Sequence, residues 1–206
     1  MMDYKKQILN HRRIIGVLGA LLPFLCLLFG SFYNEHSDWH RTMSSTYYTS
    51  AQDFFVGVLF ATGIFLMTYS GYDIRDRIIN KISGLSALGV AIFPCSATSL
   101  MYVGTFQLDV KTSFIFHCIF ASIFFITLAI NILWLFTKSN GEQTKNKKIR
   151  NKIYNFCGYG IIFFLIMLGL FMIYPFWEHL GFFSETMMLL LFATAWLIKG
   201  ESIYRD

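Results

Sequence analysis

The sequence predicts an all-α fold, a polytopic transmembrane six-helix bundle with both termini in the cytoplasm. Three observations predict it. The 206 residues are 55% hydrophobic and 14% charged, against about 25% charged residues in soluble domains. Six apolar stretches come near the roughly 20 residues that a helix needs to cross a bilayer. They use up most of the chain and leave short polar hinges, so residues 1–206 read as a single domain. Fifteen of the 17 Lys and Arg residues fall on alternate hinges or at the termini, the exceptions being Arg41 and Lys111. By the positive-inside rule the basic hinges are cytoplasmic, and 32–52, 105–111 and 175–178 are outside.

The first span, about 14–31, follows the basic leader MMDYKKQILNHRR. Its apolar run exceeds the roughly 7–15 residues of a signal-peptide core and no A-x-A-like site follows it, so it reads as a retained helix. The second, about 53–71, opens on Asp53 at the outer boundary. The third, about 82–104, contains FPCSATS, where Pro94 is expected to kink the helix beside Ser96, Thr98 and Ser99. Its Ser83, Gly84, Ala87 and Ala91, with Gly57 and Ala61 of the second span, suit close helix packing. The fourth, about 112–136, has His117 near its outer end and Asn131 deeper, where an amide seeks a hydrogen-bonding neighbour. The fifth, about 153–174, follows the run KSNGEQTKNKKIRNK. That run and the net charge of +5 are read as topology-setting charge on a cytoplasmic hinge. No glycine-rich phosphate loop is present, and no nucleic-acid partner is expected. The four cysteines, Cys26, Cys95, Cys118 and Cys157, lie in different spans without a CxxC pair and are expected to pack as small apolar residues.

The sixth span, about 179–198, carries Glu185. The apolar run after it, 186–198, is too short to cross alone, so the helix must begin near His179 or Leu180. That places Glu185 roughly 9 Å below the outer surface. A carboxylate in hydrocarbon costs on the order of a few kcal/mol, so it is expected to face the bundle interior with a partner or to carry a proton. Ser96, Thr98 and Ser99 stand at its depth. Asp53 and His117 approach from above, and Tyr47, Tyr48, Thr49 and Ser50 of the first outer loop can cover them.

Two chemistries fit an outward-facing polar pocket of this kind. His117, Asp53 and Glu185 form a three-ligand set of the type that holds zinc with an activated water in the fourth position. Alternatively, the carboxyl and the imidazole act as general acid and base, or relay protons, without metal. A third reading makes the same groups a hydrogen-bonded packing node. The outer-loop stretch HSDWH, with His36, Asp38 and His40, has metal-ligand spacing if it is helical, and is otherwise a solvated loop.

The stretches YYTSAQDFFVGVLFATGIFLMTYSGYD, GLSALGVAIFP, HCIFASIFFITLAIN and ETMMLLLFATAWLIKG resemble an uncharacterised group of small bacterial six-span membrane proteins with a domain of unknown function, near the DRAM-like families. The resemblance implies a bundle fold in a bacterial-type inner membrane and no established activity. A fainter likeness is to the CREST membrane hydrolases, whose intramembrane zinc site would make His117, Asp53 and Ser96 the counterparts by type. This chain has six expected spans instead of seven, and its last span contains no H-x-x-x-H. The resulting expectation is a lipid-directed membrane protein, a hydrolase in which Glu185 and His117 carry acid-base or metal-ligand roles and Asp53 supports them. The alternative is a non-enzymatic small-molecule or proton transporter, or a membrane scaffold. A continuous aqueous path past Asn131 favours transport, whereas a pocket closed below and open sideways to lipid favours an enzyme.

Overall fold

Pro94 sets the architecture at one end of the fold, because the residue before a proline is pushed out of the helical region. In the computed structural model, which describes residues 2–32, 41–69, 73–97, 100–138 and 144–201, helix α3 (Ile74–Ile92) stops instead of kinking. Phe93 is extended, with φ −101° and ψ 100°. The expected third span of 82–104 is therefore corrected. The helix begins earlier, at Ile74, residues 94–97 are not helical, and Tyr102–Val103 (β1) pairs antiparallel with Leu108–Asp109 (β2) in a short hairpin. Gly104 opens its turn at φ 71°, a left-handed conformation that glycine adopts without steric penalty.

The other helices start and stop where local chemistry allows. α1 (Met2–Gly30) takes in the basic leader and runs continuously through Pro23. A 3₁₀ turn, Met43–Tyr48, is capped by the Thr42 hydroxyl, which accepts from the Ser45 N–H. α2 spans Gln52–Thr68. α3 is capped by Asp73, whose carboxylate accepts the Asp76 N–H. Lys138 donates to Asp73 at 2.8 Å and, with that backbone bond, holds its carboxyl down at about 2. α4 (Val110–Ile130) is capped by Asp109 and widens into a π-helical stretch over Asn131–Leu135. α5 (Lys145–Ile173) begins at the Thr144 cap and absorbs the basic hinge, and α6 covers Leu180–Lys199.

Each helix packs on its neighbours in sequence, and α6 returns to α1, so α1–α6 close a ring. The α1–α6 closure is fixed at one end by cations, which suit a helix C-terminus. Arg12 donates to the Lys199 carbonyl at 3.2 Å and to the Tyr69 hydroxyl at 3.0 Å, and Arg13 donates to the Gly200 carbonyl at 2.9 Å. By length and composition α1, α5, α6 and α4 with its π extension can cross a membrane. α2 is apolar but only 17 residues long, and α3 carries Arg75, Asp76, Arg77 and Lys81 in its first half.

Small residues bring α2 and α3 together, though not the whole expected set. A Cβ on Gly63 would lie 2.8 Å from the Gly84 carbonyl, and one on Gly84 would collide with the Gly63 carbonyl and Met67. A Cβ on Gly57 would meet nothing within 4 Å, so that glycine is not a packing residue. Asn131 finds Asn80 of α3 in a reciprocal amide pair, each donating to the other at 3.2 Å, and Ser83 and Thr127 share a 2.7 Å hydrogen bond. All four cysteines are free thiols, three of them buried.

Candidate functional site

Stopping α3 at Ile92 turns three successive carbonyls away from any helix, and each finds a partner. The Phe93 carbonyl lies 2.7 Å from His117 Nδ1, the Pro94 carbonyl accepts from the Ser113 hydroxyl at 2.9 Å, and the Cys95 carbonyl accepts from the Tyr48 hydroxyl at 2.6 Å. α4 and the 3₁₀ turn are thereby anchored to the same short segment. The turn is also docked on α6. Phe182 N–H donates to the Arg41 carbonyl at 2.9 Å, and Gly181 sits against that carbonyl, where a Cβ would clash.

This docking carries the turn onto Glu185, which is only 8% exposed. Met43 N–H donates to Oε2 at 2.5 Å, and Ser44 Oγ lies 3.0 Å from Oε1. Ser44 Oγ is also 3.0 Å from His117 Nε2. The result is a buried chain of four groups: Phe93 carbonyl, His117, Ser44 and Glu185.

Hydrogen counting limits the states of that chain. A carbonyl only accepts, so Nδ1 carries a hydrogen. With a neutral imidazole, Nε2 is a lone pair that receives the Ser44 hydroxyl, and the Ser44–Glu185 contact needs a proton on the carboxyl. With an imidazolium, Nε2–H donates to Ser44, and Ser44 donates to a carboxylate. Both arrangements hold the same number of protons. A carboxylate beside a neutral imidazole would leave one of the two 3.0 Å contacts between lone pairs, which is unfavourable in a buried site. The three side chains therefore share one proton that can pass between carboxyl and imidazole through the Ser44 hydroxyl.

Ser44, His117 and Glu185 form the polar head of a cavity of about 240 Å³ between α4, α5 and α6. Its walls are apolar, with Phe114 and Phe125 from α4 and Leu165 and Leu168 from α5. Ser122, Gly169 and Met172, also on its lining, are exposed, so the cavity opens sideways through the α4–α5 seam. A Cβ on Gly169 would meet nothing within 4 Å. Below it, buried Phe124, Leu128 and Ile132 and the paired Asn131 fill the bundle. A smaller cavity of about 30 Å³ also borders Ser44 and Glu185, on the side of Leu22, Phe55 and Leu189.

The site thus unites two of the three residues expected to do chemistry. Asp53 is exposed in the first turn of α2 and lines neither cavity. The zinc set of His117, Asp53 and Glu185 does not assemble, and among the described residues no group of three or more His, Cys, Asp or Glu is placed to hold a metal. Ser96 is exposed and off the cavity lining, a consequence of the chain leaving the helix at Phe93. Tyr48 acts through its bond to Cys95 and does not line the cavity. Thr98, Ser99, His36, Asp38 and His40 lie outside the described residues. The member of this chain that sequence reasoning missed is Ser44, one of a run of hydroxyls in RTMSSTYYTS whose later members are the ones expected to cover the pocket.

No curated protein and no solved structure matches the chain, and nothing in these comparisons supports a relation to DRAM-like proteins or CREST hydrolases. A family model described as a protein of unknown function (DUF998) matches residues 17–198, nearly the whole chain, and the protein belongs to that family.

Proposed function

We propose that the protein is a lipid-directed hydrolase of a bacterial inner membrane, working by acid-base chemistry with His117 as base and Glu185 as acid. One observation carries this reading. A proton-sharing His117–Ser44–Glu185 chain heads an apolar cavity that opens sideways between two helices. Such a mouth faces acyl chains when the helices lie in a bilayer, and an acid-base pair at its closed end acts on a polar linkage drawn in with them. Asp53, exposed on α2, has no part in it. Transport or scaffolding is the weaker alternative, since buried apolar side chains and the Asn80–Asn131 pair occupy the route that a permeant would need.

The test is release of lipid fragments from liposomes of bacterial phospholipid containing the purified protein, followed by mass spectrometry. Wild type is expected to release product, and His117→Ala to lose at least about 100-fold of the rate, the low end of what a positioned acid or base contributes. Product release by the alanine variant at the wild-type rate would overturn the assignment.

The same reading places six spans in the membrane with both termini cytoplasmic. It is supported by the basic hinges and by Arg12 and Arg13 meeting Lys199 and Gly200 at one end of the bundle. A fluorescent protein fused to the C-terminus is expected to fluoresce, and alkaline phosphatase fused there to be inactive. The reverse pattern would invert the topology.

A further inference from the structure

We propose that Ser44 is a covalent nucleophile, and that the linkage it attacks is the carboxylic ester of an acylated lipid; this rests on the hydrolase reading of the same cavity. Nucleophile, base and orienting group stand in sequence: Ser44 Oγ is 3.0 Å from His117 Nε2, and His117 Nδ1 is 2.7 Å from the Phe93 carbonyl. The carbonyl fixes the tautomer in which Nε2 is free to take the Ser44 proton, the relation that activates a hydroxyl. Ser44 and His117 are 6% and 5% exposed, and both line the cavity.

The cavity also selects the linkage. Among the described residues no Lys or Arg lines it, and a phosphoryl group under attack needs cationic neutralisation. A carboxylic ester needs only a hydrogen-bond donor for the oxygen on which charge develops. The Glu185 hydroxyl, 3.0 Å from Ser44 Oγ in the neutral-imidazole state, is that donor, while the Met43 N–H remains on Oε2. The acyl chain lies along Phe114, Phe125, Leu165 and Leu168 and leaves through the gap at Gly169.

The reaction balances without any further reagent than water. Ser44 Oγ bonds the ester carbon as its proton passes to Nε2. The carbon–oxygen bond to the lipid alcohol breaks, and that oxygen takes the Glu185 proton. Water then attacks the acyl-serine and gives a proton to the Glu185 carboxylate, Nε2 returns its proton to Ser44 Oγ, and the fatty acid departs. The 30 Å³ cavity beside Ser44 and Glu185 is large enough for one water molecule.

The test treats full-length wild-type protein in detergent with a fluorophosphonate carrying a long alkyl chain, then measures intact mass, peptide mass and residual lipid hydrolysis. One adduct per chain is expected on the peptide containing Ser44, with hydrolysis lost in step. Ser44→Ala is expected to lose at least about 100-fold of hydrolysis and all labelling, and Ser44→Thr, which keeps a hydroxyl in the same bonds, checks that folding survives a change at this position. Lipid hydrolysis without an adduct at Ser44, and with Ser44→Ala still active, would overturn the nucleophile and leave the acid-base hydrolase standing. Neither hydrolysis nor labelling in the wild type would overturn both.

Discussion

Replacing Glu185 by Gln is expected to leave the bundle folded and to remove at least about 100-fold of the hydrolysis proposed for it. The two effects separate because of how the side chain is bonded. Oε2 accepts the Met43 N–H and Oε1 meets the Ser44 hydroxyl. A glutamine keeps both contacts, its carbonyl accepting from Met43 and its amide donating to Ser44 as the protonated acid does. It cannot give up that hydrogen, so the shared proton is lost while the geometry stays. Glu185→Leu serves as the contrast. It strands the Met43 N–H in a buried site and costs about 1–3 kcal/mol, so the turn that carries Ser44 loosens. Thermal unfolding in detergent, read beside the hydrolysis rate, distinguishes the outcomes. A glutamine variant as active as wild type would return Glu185 to the role of a packing node among hydroxyls.

Glu185 was legible in the sequence because its cost is local. Too few apolar residues follow it to cross a bilayer, so its depth is forced whatever the rest of the chain does. That His117 stands near Glu185 was legible for a similar reason, from its distance to the basic hinge. Ser44 was not, because a serine in a polar loop carries no penalty that demands explanation. Its importance arises only from Gly181 and Phe182 drawing residues 41–48 down onto α6. Asp53 failed in the opposite direction. It has the depth of His117 along the sequence, but the first turn of α2 points it outward, and a count of residues along a span does not fix which side of the helix faces the core. At Pro94 the sequence held both outcomes, a kink or a stop. The stop followed because the carbonyls of Phe93, Pro94 and Cys95 each found a side-chain donor that a continuing helix would have turned away.

Gly84→Leu is expected to be the most damaging substitution outside the site, at ~3 kcal/mol, the upper range for overpacking a close contact. The obstacle is backbone, not a side chain that can turn aside. At Gly84 any Cβ runs into the Gly63 carbonyl, and at Gly63 it would stand 2.8 Å from the Gly84 carbonyl, so α2 and α3 must separate to admit it. Gly57→Leu, on the same α2 helix, provides the control. Its Cβ meets nothing within 4 Å, and it replaces a poor helix former by a good one. The damage at Gly84 also travels to the site, because α3 ends in the carbonyl that orients His117. Displacing α3 by even part of an ångström lengthens the 2.7 Å bond at Nδ1 and misaims Nε2 from Ser44. The variant is therefore expected to lose hydrolysis per folded molecule as well as stability, whereas Gly57→Leu loses neither. Unfolding midpoints in detergent, with activity normalised to the folded fraction, measure the two effects separately. Full activity in the folded fraction of Gly84→Leu would mean that His117 is held by α4 alone and that the end of α3 does not position the base.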